Sequence, residues 1–155
     1  MDYNSMYQDN KVDFGQMPPG AFLIGLLSAF ENRFQNVADS FFEEITWKQF
    51  FAIICINLCK ESPTINELAG VMASSHQNVK QILIKLEKKG FVEMKIDEKD
   101  RRKQRVVTTK KCDDFCKRNA KESEIQINQM YEGISEGQLM TTIQTIIQME
   151  RNLKK

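Results

Sequence analysis

The chain has 155 residues, 41% of them apolar, and a formal net charge of +1. That composition supports one packed core with an extension and excludes a disordered chain. No stretch approaches the roughly 18 apolar residues of a membrane-spanning helix, so no membrane partner is expected.

Residues 1–19 read as a polar N-terminal arm that ends in the breaker Met17-Pro18-Pro19-Gly20. The arm lacks the basic start and apolar core of a signal peptide. A cytoplasmic location with reduced thiols is therefore expected. A helix is predicted over Ala21–Ser40, with Phe22, Leu23, Leu26, Leu27, Phe30, Phe34 and Val37 in one stripe. The next begins at Thr46, with Trp47, Phe50, Phe51, Ile54 and Leu58 on one face, and ends at Glu61-Ser62-Pro63. Thr64 and Glu67 form a capping-box pattern that opens a short helix, Ile65–Met72. After the turn Ala73-Ser74-Ser75, a helix over Ser75–Lys89 is expected, capped in the same way from Ser74-Ser75-His76-Gln77 and stopped at Gly90. Val79, Ile82, Leu83 and Leu86 fall on its inner side; His76, Gln77, Asn78, Lys80, Gln81, Ile84, Lys85 and Lys88 fall outside.

Two strands, Phe91–Ile96 and Arg105–Thr108, flank the charged hairpin Asp97–Gln104. Long helices over Lys110–Gly133 and Glu136–Leu153 follow. The fold class expected is mainly α, an α+β winged helix: six helices and a two- to three-stranded β-wing. The boundaries are 1–19 for the arm, 20–44 for a dimerisation helix, 45–109 for the winged-helix domain and 110–155 for C-terminal dimerisation helices. The first helix and the last two have wide apolar faces without an obvious partner in their own chain, which favours a homodimer.

Charge is unevenly spread. Ser74–Lys111 holds 12 Lys and Arg against 5 Asp and Glu, leaving a net of −6 elsewhere. Such a segment is either a phosphate-facing surface or a solvated Lys-rich face. A short helix, a tight turn and a second helix with a polar outer face form a helix-turn-helix pattern. Gln77, Asn78 and Gln81 carry amides suited to adenine, and Lys80 and Lys85 suit guanine or phosphate. The alternative is an ordinary solvated helix with polar filler. The hairpin that follows, with Arg101, Arg102 and Lys103 near its tip, reads as a wing that delivers arginine to a minor groove.

The stretch Gly90-Phe91-Val92-Glu93, then Asp97-Glu98-Lys99-Asp100-Arg101-Arg102-Lys103 and Thr109, resembles the wing signature of the MarR family, the multiple-antibiotic-resistance regulators. Leu86–Gly90 and Ile45–Phe50 add to the likeness, which spans about residues 20–153 and is most specific over 64–109. The resemblance implies a dimeric repressor on a pseudo-palindromic operator of double-stranded DNA. It implies that Arg102 enters the minor groove and that Asp100 orients it. It places Ser75, Gln77, Asn78, Lys80 and Gln81 in the major groove. His76, at the start of the same helix, either touches DNA or is an exposed histidine with no role. The resemblance also implies release by a small lipophilic or phenolic effector bound between the DNA-binding lobe and the dimer helices. Lys80 and Gln81 depart from the Arg or Thr frequent at those places, so no operator sequence carries over.

Thiol-based sensing is an alternative of the same fold. Cys55/Cys59 and Cys112/Cys116 are i, i+4 pairs sharing a helix face. A bridge within either pair would be strained, one between pairs or between subunits is conceivable, and the competing reading is that Cys55 and Cys116 are small buried hydrophobes. No Gly-rich phosphate loop, nucleophile motif or His/carboxylate cluster is present, so neither an enzyme nor a cofactor is expected. One histidine and no CxxC spacing argue against a metal site. A winged helix used only for protein–protein contact is the remaining alternative, and Ile84 suits it best.

Overall fold

The computed structural model describes Tyr3, residues 13–98 and residues 100–154. Among these, six helices and one hairpin follow in order: α1 (Pro19–Ala38), α2 (Trp47–Leu58), α3 (Ile65–Val71), α4 (His76–Lys88), β1 (Val92–Ile96), β2 (Gln104–Thr108), α5 (Lys110–Met130) and α6 (Glu136–Leu153). The chain divides into two compact units, Met1–Lys110 and Lys111–Lys155. The first helix thus shares a unit with the helix-turn-helix. No helix among the described residues is long and apolar enough to cross a membrane.

The sequence motif expected to break the chain instead opens α1. Pro18 is its N-cap and Pro19 its first residue, because proline's fixed φ and missing N–H are harmless in a first turn. The helix ends at Ala38 rather than Ser40, and Asp39 accepts the Trp47 N–H at 2.7 Å, joining α1 to the start of α2. Phe34 packs edge-on against Trp47 at 4.8 Å in the same joint.

Helix α2 corrects the predicted apolar stripe. Its buried residues are Gln49, Ala52, Ile53, Cys55 and Ile56, whereas Leu58 is 73% exposed and Phe51 is also exposed. Trp47–Leu58 is apolar on nearly every side, so periodicity does not single out one face. The helix stops at Leu58, short of Pro63, because Cys59 adopts an extended conformation.

The helix-turn-helix is built from two matched helix ends. Thr64 caps α3 in the expected box: Glu67 Oε2 accepts the Thr64 N–H at 2.7 Å, and Thr64 Oγ1 accepts the Glu67 N–H at 3.3 Å. At the far end Ser74 N–H donates to Ala69 O and Ala73 N–H to Gly70 O, a Schellman closure with Ala73 at φ 48°. Ser74 is thereby committed to ending α3, so the cap of α4 falls one residue later than expected. Ser75 Oγ accepts the Asn78 N–H at 3.2 Å, and no box with Gln77 forms. Helix α4 closes in the same manner at Gly90, φ 76°, where Phe91 N–H reaches Leu86 O at 2.9 Å. Phe91 and Leu86 are both fully buried.

The core of this unit is Leu68 of α3, Val79, Leu83 and Leu86 of α4, Ala52 and Ile53 of α2, and Phe91, Val92 and Val106 of the hairpin. Strands β1 and β2 pair antiparallel from Val92↔Thr108 to Ile96↔Gln104. One isolated bridge, Thr64↔Arg105, with Val106 N–H donating to Pro63 O at 2.8 Å, adds the segment before α3 to the edge of β2. The wing is therefore two strands plus one bridge.

In the second unit, Cys112 and Phe115 near the start of α5 are buried. Helix α5 ends at Met130 rather than Gly133, in a turn that contains Gly133 at φ 77°. Helix α6 opens with a Ser135–Gln138 capping box and has no buried residue at all.

Candidate nucleic-acid interface

Helix α4 is held by the inner set Val79, Ile82, Leu83 and Leu86, all buried. The 3.6-residue period then forces His76, Gln77, Asn78, Lys80, Gln81, Ile84 and Lys85 outward, and all are exposed. Its N-cap Ser75 is exposed as well. The outer face thus carries hydrogen-bonding side chains on a rigid support. Asn78 is partly engaged already, its side-chain amide donating to Ser74 Oγ at 2.9 Å.

The hairpin between β1 and β2 is stiffened from within. Lys103 N–H donates to Asp100 O at 2.8 Å and Asp97 N–H to Lys103 O at 3.0 Å. Asp100 Oδ1 accepts both the backbone N–H and the Nε–H of Arg102, at 3.2 and 3.1 Å, and Lys103 Nζ lies 3.6 Å from Asp100 Oδ2. The Arg102 side chain is nevertheless 91% exposed, so it is aimed but not covered. The bonds from Arg102, then the Lys103 charge, hold the Asp100 carboxyl below the usual carboxylate range. A depressed carboxyl keeps its ion pair above its ordinary pKa and loses it only as pH falls through the depressed value. The wing pair therefore persists through neutral and mildly acidic solution.

Between wing and helices lies an open cleft of about 480 Å³. Thr64 and Asn66 at the start of α3, His76 and Lys80 on α4, and Arg101, Arg102 and Lys103 on the wing all line it. Five of the site residues named from sequence meet there. Gln77, Gln81 and Lys85 lie along the exposed face of α4. Thr64, Asn66 and Gln104 were missed; their only sequence signal is that they border the turn elements. Also missed were Asp97 and Arg105. Asp97 is 5% exposed and its carboxylate bonds the Arg105 guanidinium. A charged residue inside a strand was the available clue.

The four cysteines are free thiols. Cys55 is buried as expected, but in the second pair Cys112 is buried and Cys116, expected inside, is half-buried like Cys59. Burial pushes the Cys55 and Cys116 thiols up, and burial with the neighbouring Cys116 pushes Cys112 up to about 12. A raised pKa suppresses the thiolate that reacts with oxidants. Among the described residues no cluster of three or more His, Cys, Asp and Glu could hold a metal.

Residues 45–103 match the model of the MarR family. No curated protein matches the chain in sequence. Solved structures match it in fold. A MarR protein from Peptoclostridium difficile superposes with a TM-score of 0.78 at 16% identity, covering 92% of this chain and 93% of the other. MepR of S. aureus, solved as a DNA complex, gives 0.74 at 18% identity, over 83% and 95% of the two chains. FabT of Streptococcus pneumoniae, also in complex with DNA, gives 0.64 at 18% identity, over 86% and 96%.

Proposed function

We propose that the chain, whose residues 45–103 match the model of the MarR family, is a sequence-specific regulator, a repressor, that binds a pseudo-palindromic operator of double-stranded DNA as a homodimer. The observation that carries this reading is the convergence of His76 and Lys80 of α4 with Arg101, Arg102 and Lys103 of the wing on one cleft. Cationic and amide side chains on rigid elements suit a duplex: lysines and the capped N-terminus of α4 take phosphates, the amides read base edges in the major groove, and Arg102 enters the minor groove. The apolar faces of α1 and α6 supply the contact between two copies, which sets half-sites about one helical turn apart.

A second cleft, about 330 Å³, supports release by a small effector. Phe34 of α1, Trp47 and Phe51 of α2 and Met72 at the end of α3 give it an apolar wall, and Ser74 and Asn78 reach its rim. A lipophilic or phenolic molecule seated there would press on the turn that aims α4. Oxidant sensing has less support, because Cys55 and Cys112 are buried and burial raises their pKa values.

Titration of a random duplex with salt tests the proposal. Several phosphate contacts per dimer lower affinity by on the order of a thousandfold between about 50 and 200 mM salt. A flat response would remove DNA and favour a protein–protein module, for which exposed Ile84 is the supporting feature. On the operator recovered by selection from random DNA, Gln81→Ala is expected to relax base preference at one position by about 1–3 kcal/mol. Equal loss on every sequence would reassign Gln81 to the backbone.

A further inference from the structure

We propose that Arg105 and Asp97 are positioning residues for Arg102, tying the wing tip to the body of the helix-turn-helix through one continuous chain of hydrogen bonds. The inference rests on the DNA-binding reading above and deepens it by naming what sets the reach of the wing.

The chain starts in the body. Arg105 Nη1 donates to Ser62 O at 2.6 Å, in the segment before α3, and lies 3.9 Å from Glu67 Oε2 in the first turn of α3. Arg105 Nε donates to Asp97 Oδ2. The other oxygen of Asp97, Oδ1, accepts the Asp100 N–H at 2.7 Å. Asp100 in turn holds Arg102 by its backbone and its Nε. A guanidinium stands at each end of this path, Arg105 and Arg102, and the two carboxylates between them, Asp97 and Asp100, are joined through the Asp100 backbone N–H. Its middle link, Asp97, is buried and its tip, Arg102, is exposed.

A two-stranded ribbon is marginal by itself and has no intrinsic angle to neighbouring helices. Some contact outside the hairpin must fix that angle. The Thr64↔Arg105 bridge does so at the strand edge, and the guanidinium of Arg105 does so at the turn. Its planar fork meets Ser62 O and Asp97 together, a geometry that lysine cannot reproduce. Arg105 is not built to touch phosphate. It lines a hollow separate from the wing cleft, with Lys95 and the carboxylates of Glu61, Asp97 and Glu98, and its guanidinium is taken up by Ser62 O and Asp97. Its charge serves the wing rather than the duplex.

The test uses the full chain, with each variant assayed below its melting temperature. Arg105→Met is expected to weaken duplex binding by at least about tenfold, the scale of one charge-assisted contact. Arg105→Lys should lose nearly as much, since it keeps the charge and loses the fork. Combined with Arg102→Ala, Arg105→Met should add less than about twofold, because both act through one contact. Wild-type binding by Arg105→Lys, or losses that multiply in the double variant, would overturn the proposal. Amide exchange without DNA gives an independent readout. The Asp100 amide should exchange faster in Arg105→Met and be unchanged in Arg102→Ala; unchanged protection in Arg105→Met also overturns it. If Arg105→Met does not fold, Asp97→Asn replaces it with the same expectations. Absence of duplex binding by the wild-type chain would remove the parent reading, while the exchange result would still judge the link.

Discussion

Arg102→Ala is expected to weaken operator binding a hundredfold or more while leaving the protomer fold unchanged. The size follows from symmetry: about 1.5–3 kcal/mol for a charge-assisted contact is lost at each of two half-sites. The selectivity of the defect follows from exposure. The side chain is 91% accessible and bonds the neighbouring Asp100 within the wing, so its removal opens no cavity and strands no buried charge. Melting temperature and sedimentation should match the parent. Fluorescence anisotropy on the operator supplies the affinity, and anisotropy at several salt concentrations shows whether a cationic contact was lost. An unchanged affinity would take the wing out of the interface and leave α4 alone to explain binding.

The sequence made helix α4 legible because its two faces differ so sharply. Val79, Ile82, Leu83 and Leu86 are buried as the period required, and the capping pattern at Thr64 and the stop at Gly90 marked the ends. The six helices and the wing followed from similar local signals. Where local signals conflicted, the sequence was silent. Helix α2 is apolar all round, and only packing decided that Ala52 and Ile53 go inward while Leu58 goes out. Two serines in succession could each cap α4, and the closing bond of α3 at Ser74 decided between them. Of the candidate site, the wing tip was legible from its charge. The links that fix it were not, because Arg105 contacts Ser62 and Glu67 across about forty residues of chain. Such contacts are set by tertiary pairing, which no local pattern encodes.

Disrupting the face of α6 should be as damaging to DNA binding as disrupting the wing, through a different route. Helix α6 is amphipathic and 18 residues long, yet buries no residue within one chain. Ile143 and Ile147, one turn apart, are 41% and 42% exposed. Ile24, Phe30 and Val37 of α1 are exposed likewise. Apolar faces of that extent gain about 25 cal/mol per Å² when covered, which a second copy would supply. Ile143→Asp combined with Ile147→Asp places two charges where the isolated protomer already meets water, so folding of the protomer should survive. Association should not, since a charge buried without a partner opposes it strongly. Sedimentation should show a monomer, and operator affinity should fall by on the order of a hundredfold or more as two-site engagement becomes one-site. Weak, salt-dependent binding to any duplex should remain, because the α4 face and the wing are untouched. A variant that still sediments as a dimer would move the interface away from α6, and full operator affinity in a proven monomer would show that one protomer suffices.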